Sequence, residues 1–202
     1  VLFRSKDDET LRRTSVRKLK PLAFNLNLIQ QLSELSWLPV DNNVSIAEME
    51  QAFRSMVRTK RFSRWTDLLL VSVGNAAFCR LFNGDLWAML TVFAATMLGF
   101  LAKQQLTRLK YNPLGVIILS AFTASMAAAC AVLFQIGSTP QIALAASVLF
   151  LVPGVQMINS IMDLMHGHIL MGISRGIHSI MMIACIAIGL SATMLIVGVN
   201  SL

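Results

Sequence analysis

The amino-acid sequence predicts an all-α membrane protein: five transmembrane helices preceded by a small cytoplasmic domain, with the N-terminus inside and the C-terminus outside. Three observations predict it. The 202 residues are 55% hydrophobic and only 13% charged, whereas a soluble domain is about one quarter charged. Charge is unevenly placed, since residues 1–65 hold 12 of the 17 Lys and Arg and 7 of the 10 Asp and Glu. The rest of the chain is divided into apolar runs of the length a bilayer demands. A polar head, residues 1–64, is therefore expected ahead of an apolar body, residues 65–202.

The same placement excludes other classes. A net charge of +7 fits nucleic-acid binding in general, but here the basic residues cluster before and between apolar runs, where orientation in a membrane explains them. No nucleic-acid partner is expected. Cys79, Cys130 and Cys185 fall in separate apolar segments without metal-ligand spacing and read as buried small hydrophobes.

The chain opens Val1-Leu2-Phe3-Arg4-Ser5 without an initiator Met. One possible coding of these five residues coincides with a common sequencing-adaptor end, so a truncated reading frame is expected. No cleavable signal peptide is expected, because charged residues occupy the place of its apolar core. Residues 6–20 read as a strand or loop remnant of a larger domain. From Leu22, apolar residues recur at spacings of three and four, which predicts a helix ending near Trp37-Leu38-Pro39, with a turn at Asp41-Asn42-Asn43. Ser45-Ile46-Ala47-Glu48 fits a capping box. Behind it, Ile46, Met49, Phe53 and Met56 form the stripe of a short amphipathic helix, reaching about Thr59 and packing on the helix before it. Arg54, Arg58, Lys60, Arg61 and Arg64 then lead to Trp65, a cationic run ending in an indole, as at a cytoplasmic membrane boundary.

Five spans are expected, at roughly 66–83, 86–102, 113–136, 141–160 and 172–199, because about 17–25 apolar residues cross the hydrocarbon. Asn75 and Arg80 interrupt the first, where Arg80 snorkels toward the outer headgroups. The connector at 103–112 carries Lys103, Arg108 and Lys110, while those at 83–85 and 137–140 carry neither Lys nor Arg. This asymmetry sets the head in the cytoplasm. Trp87 suits the outer aromatic belt. Asn112-Pro113 reads as a cap and first turn of the third span. Gly99, Ala127 to Ala129, Ala143, Ala145, Ala146 and Ser147 allow close helix contact and argue for a packed bundle.

Functional expectations gather around a break in the fourth span. Pro153 removes a backbone donor and Gly154 loosens the chain, so a kinked or unwound turn is expected there. Such breaks stand where protein or a water-filled cavity can satisfy the backbone, as at the midplane sites of transporters. Beyond it, Gln156, Asn159 and Asp163 are spaced three and four apart, so one helical face presents all three. His166, Gly167 and His168 read as a solvated connector rather than a metal site, since the ligand set is incomplete. Arg175 follows at the start of the last span. His178 reads as an interfacial histidine. The candidate pathway residues are thus Pro153, Gly154, Gln156, Asn159, Asp163, His168 and Arg175. No Walker loop, nucleophile elbow, CxxC or HExxH motif is read in the chain, so neither an enzyme nor a cofactor is expected.

The stretch Thr139 to Gly154, then Ile158-Asn159-Ser160, Asp163, Gly167-His168, Gly172 and Arg175, resembles the threonine/serine exporter family. Within it, the chain is similar to the N-terminal-half subunits of two-component bacterial succinate exporters. Arg61 to Trp65 and Phe78 to Gly84 are also similar to the entry of such subunits into their first span. The resemblance covers about residues 11–200 and is strongest across the fourth and fifth spans. It implies a cytoplasmic domain followed by a five-helix membrane half in the bacterial inner membrane, and a separately encoded second membrane half as partner. It implies export of a small carboxylate, foremost succinate, or of threonine and serine. A membrane scaffold that carries no flux is the third reading.

Overall fold

This computed structural model describes residues 2–4, 12–14, 26–42, 46–57 and 63–198. They fall in two units, Val1–Arg61 and Phe62–Leu202.

In the first unit, strands β1 (Leu2–Arg4) and β2 (Arg12–Thr14) pair antiparallel, Phe3 opposite Arg13. Part of the 6–20 stretch is therefore a strand, and its remainder lies outside the described residues. Helix α1 spans Leu26–Asn42 and α2 spans Ile46–Val57. α1 runs through Pro39 and takes in Asp41 and Asn42, where a helix end and a turn were expected. Proline's fixed φ is compatible with helix, and the lost hydrogen bond and the clash of its ring with the preceding turn are local costs that α1 bears at Pro39, unlike the chain at Pro153. Ser45 and Asn43 lie outside the described residues. α1 and α2 pack together, with Leu35 buried and Met49 and Met56 half-buried. Phe53 departs from its expected role and stays 46% exposed.

The second unit is helical throughout its described residues: α3 (Arg64–Leu81), α4 (Leu86–Arg108), α5 (Pro113–Leu133), α6 (Pro140–Ala146), a 3-10 turn (Leu149–Leu151), α7 (Gly154–Met165) and α8 (Ile169–Val197). α4, α5 and α8 are each long and apolar enough to cross a membrane, and α6 to α7, bent by 60°, would make a fourth crossing. α3 does not reach that standard, since its 18 residues include Arg64, Asp67 and Arg80. Three to four candidate spans are thus established.

Several boundaries differ from expectation for local reasons. α4 continues to Arg108, so Lys103 and Arg108 belong to a helix and not to a connector. Lys, Gln, Leu and Arg all sustain helix there, until Lys110 turns to φ 57°. Asn112 then accepts from the Leu114 N–H at 3.0 Å and Pro113 begins α5, as the sequence suggests. α7 extends to Met165, which makes Asp163 helical, and α8 begins at Ile169.

α5 is the centre of the unit, packed against α4, α6 and α8. Its Ala121, Ala124 and Ala128 are fully buried, whereas its Cys130, expected to be buried like Cys79 and Cys185, is exposed near the helix end. Small residues let the backbones approach: a Cβ on Gly99 would lie 2.7 Å from Ala124 Cβ, and one on Gly189 would lie 2.6 Å from the Ile118 carbonyl oxygen. Ser125 and Thr193 share a buried hydrogen bond of 2.6 Å, locking the second half of α8 to α5.

Candidate functional site

The break between α6 and α7 follows directly from Pro153. A proline pushes the residue before it out of the helical region, and Val152 is extended, with φ −61° and ψ 127°. The chain leaves α6 at Ala146, makes one 3-10 turn and restarts at Gly154. Helix ends expose carbonyls without partners, and in an apolar body each must be satisfied. Val148 and Leu149 accept from the N–H groups of Leu151 and Val152 at 3.0 and 3.1 Å. The Ala146 carbonyl is met from another helix: Asn75 Nδ2 on α3 donates to it at 3.1 Å and to Thr96 Oγ1 on α4 at 2.6 Å. Both side chains are buried. The sequence marked Asn75 only as a weakness of the first span. The available signal was its cost, since a polar side chain among apolar helices needs a partner.

A second tie holds the start of α6. Asp85, the N-cap of α4, accepts from the N–H groups of Ala88 and Ser138, both at 2.8 Å, and from Thr139 Oγ1 at 3.0 Å. Its own N–H donates to Thr139 Oγ1 at 3.0 Å. These donors, the Ser138 and Ala88 N–H groups foremost, hold the Asp85 carboxyl below the usual carboxylate range. Gly137 has φ +82°, and a Cβ there would come within 2.5 Å of Asp85 Oδ2. Beside α6 lies a cavity of about 340 Å³ lined by Phe82, Ile142, Ala145, Ala146 and Leu149.

α7 is differently placed. Its main packing partner is α8, to which it is fastened by Ser160 Oγ donating to the Gly172 carbonyl at 2.7 Å. Gly172 also packs on Leu164. Pro153 is buried at the N-cap of α7 and Gly154, its first residue, is exposed. Gln156, Asn159 and Asp163 are all half-buried, and their spacing puts them on the flank beside Ser160. Gln156 Oε1 is enclosed with no hydrogen-bond partner among the described residues. Asp163 and Arg175 are brought together, Arg175 Nη1 donating to Asp163 Oδ2 at 2.5 Å. His168 holds the N-cap position of α8 at the surface; its N–H donates to the Asp163 carbonyl at 2.9 Å and the residue is exposed.

The remaining polar residues take local roles. Arg80 donates to the Gly84 carbonyl at 3.1 Å. The His166 ring lies 2.7 Å from the Met162 carbonyl, and His178 is exposed. Although no nucleophile elbow was expected, Gly172-Ile173-Ser174-Arg175-Gly176 does have the G-x-S-x-G spacing of a hydrolase nucleophile. It lies inside α8 and lacks the strand-to-helix turn that such chemistry needs.

Three apolar helices of spanning length and a bent fourth pair define a polytopic membrane protein. Residues 1–197 match the family described as "Putative threonine/serine exporter" (ThrE), and the chain belongs to that family. It is similar to two proteins named "Probable succinate transporter subunit YjjP": that of Klebsiella aerogenes, 34% identical over 199 residues, and that of Escherichia coli K12, 33% identical over 200 residues. Each alignment covers 96% of this chain and 75% of the relative. No solved structure matches the chain.

Proposed function

We propose that this chain is one membrane half of a secondary exporter of small carboxylates, with succinate as substrate, acting in the bacterial inner membrane with a separately encoded second half. The observation that carries the reading is the polar row Gln156, Asn159 and Asp163 ending at Arg175, beside the break at Pro153-Gly154. In a spanning helix such groups are costly unless they meet water, protein or a substrate. The row runs about 10 Å along α7 at 1.5 Å per residue. The relatives' names supply the cargo and the term subunit.

In this reading α3 is the fifth span. Its charges sit in its first and last turns, and its buried polar residues have partners: Ser72 donates to the Leu68 carbonyl, and Asn75 Nδ2 to Thr96 and to the Ala146 carbonyl. Lys103, Arg108 and Lys110 gather where α4 meets α5, which orients that end, the head and the α7–α8 turn toward the cytoplasm. α6 is bolted to α3 and α4, whereas α7 moves with the first half of α8. Pro153-Gly154 is then the hinge at which access alternates. One observation favours a second cargo: Asp163 and Arg175 supply the two opposite charges that a zwitterion such as threonine needs.

The test is efflux of labelled succinate and, separately, threonine from cells lacking native exporters, expressing a full-length version of this chain with and without the second half. Succinate efflux that requires both chains supports the reading. Threonine efflux alone moves the assignment to amino acids. No efflux of either, with both chains in the membrane, leaves the scaffold reading.

A further inference from the structure

Asp163 and Arg175 carry the only side chains of Asp, Glu, Lys or Arg between Gly154 and Val197. Two opposite charges in an apolar hairpin are weak evidence of stabilisation, because removing them from water costs about as much as their attraction returns. Other contacts also fasten the hairpin, namely the Ser160 to Gly172 bond and the contact of Gly172 with Leu164. Nor is the pair closed. Arg175 has five N–H donors, of which one has a partner among the described residues, and its side chain is 46% exposed against 23% for Asp163. The guanidinium is thus held by one oxygen, whereas it binds best to a carboxylate presenting two.

We propose that Asp163 is an internal counter-ion occupying Arg175 until a substrate carboxylate replaces it, which makes the pair a specificity-determining gate for dicarboxylates. This deepens the transport reading above and rests on it. The incoming carboxylate takes two N–H groups of Arg175 where Asp163 takes one. Asn159 stands one turn along α7 from Asp163, about 6 Å at 1.5 Å per residue, and its amide is placed to donate to the second carboxylate of a four-carbon diacid. A monocarboxylate gains only the first contact. A zwitterion would instead insert between the two charges and need Asp163 ionised.

The experiment measures uptake of labelled succinate and threonine into inside-out vesicles carrying both halves, with complex yield and thermal stability followed alongside. Asp163→Asn frees Arg175, so the half-saturating succinate concentration falls, on the order of tenfold if Arg175 is otherwise free one tenth of the time. Arg175→Gln abolishes succinate uptake at unchanged complex yield, and Arg175→Lys, which loses the two-pronged contact, raises the half-saturating concentration. The double variant Asp163→Asn with Arg175→Gln keeps a neutral hydrogen-bonded pair and stays inactive. Wild-type uptake by that double variant would show the pair to be a structural tie and overturn the proposal. A loss of threonine uptake in Asp163→Asn with succinate half-saturation unchanged would overturn it in favour of zwitterion recognition. If wild-type vesicles take up neither solute, the transport reading itself fails, and the gate with it.

Discussion

Asn75 on α3 donates its side-chain amide to the carbonyl of Ala146, the last residue of α6, across 3.1 Å. The contact joins the most polar of the long helices to the end of the broken one. Removing it leaves a buried carbonyl and the Thr96 hydroxyl without that donor, a loss of about 1–3 kcal/mol. Asn75→Ala is expected to lower the thermal unfolding temperature of the detergent-solubilised protein. Thr96→Val, which keeps the Ala146 contact, is expected to lower it less. Equal losses in the two variants would count against Asn75 as the cap of α6.

The close approach of α8 to α5 sets a second expectation. Gly189→Ala puts a methyl group 2.6 Å from the Ile118 carbonyl oxygen, on backbone that cannot yield cheaply. Overpacking of this kind costs about 1–3 kcal/mol. Gly115→Ala serves as the control, since nothing lies within 4 Å of its Cβ position. Unfolding temperatures of the two variants separate packing from a general cost of replacing glycine.

Asp85 makes the tie between two connectors depend on pH. Its folded pKa lies below its unfolded value, so its contribution is present above the unfolded pKa and is lost as pH falls through the folded one. Hydrogen exchange at Ser138 and Ala88 is expected to stay slow through the ordinary carboxylate range and to accelerate in stronger acid, after allowance for intrinsic rates. Asp85→Asn abolishes this transition. A transition that persists in Asp85→Asn assigns it to another group.

Gly154 tests the hinge. Its φ is ordinary and nothing lies within 4 Å of the place a Cβ would take, so neither turn geometry nor packing demands glycine. Gly154→Ala is expected to leave unfolding unchanged or to stabilise by about 0.4–1 kcal/mol, through a less flexible unfolded chain. Under the transport reading, the same variant slows efflux at unchanged membrane abundance. Wild-type efflux from it places the hinge elsewhere.

The sequence was most legible where one residue type dictates the backbone. Pro153 announces the break, Asn112-Pro113 announces the start of α5, and long apolar runs announce α4, α5 and α8. Boundaries set by the absence of a stop signal were less legible, as in the extension of α4 to Arg108 and of α7 to Met165. Asn75 reads as a defect along the chain because its partners, Thr96 and Ala146, are 21 and 71 residues away. The candidate row on α7 follows from spacing, but the engagement of Arg175 by Asp163 does not, since a loop and a helix start were expected to separate them.

The sequence by itself determined a polar head, an apolar helical body, the break at Pro153 and the facing of Gln156, Asn159 and Asp163. These follow from composition, helix length and period, which are local properties of a chain in hydrocarbon. Only the tertiary structure decided that Asn75 closes the end of α6, that Asp85 joins two connectors, and that Asp163 holds Arg175. Those contacts join groups distant along the chain, and their partners are chosen by how the helices pack.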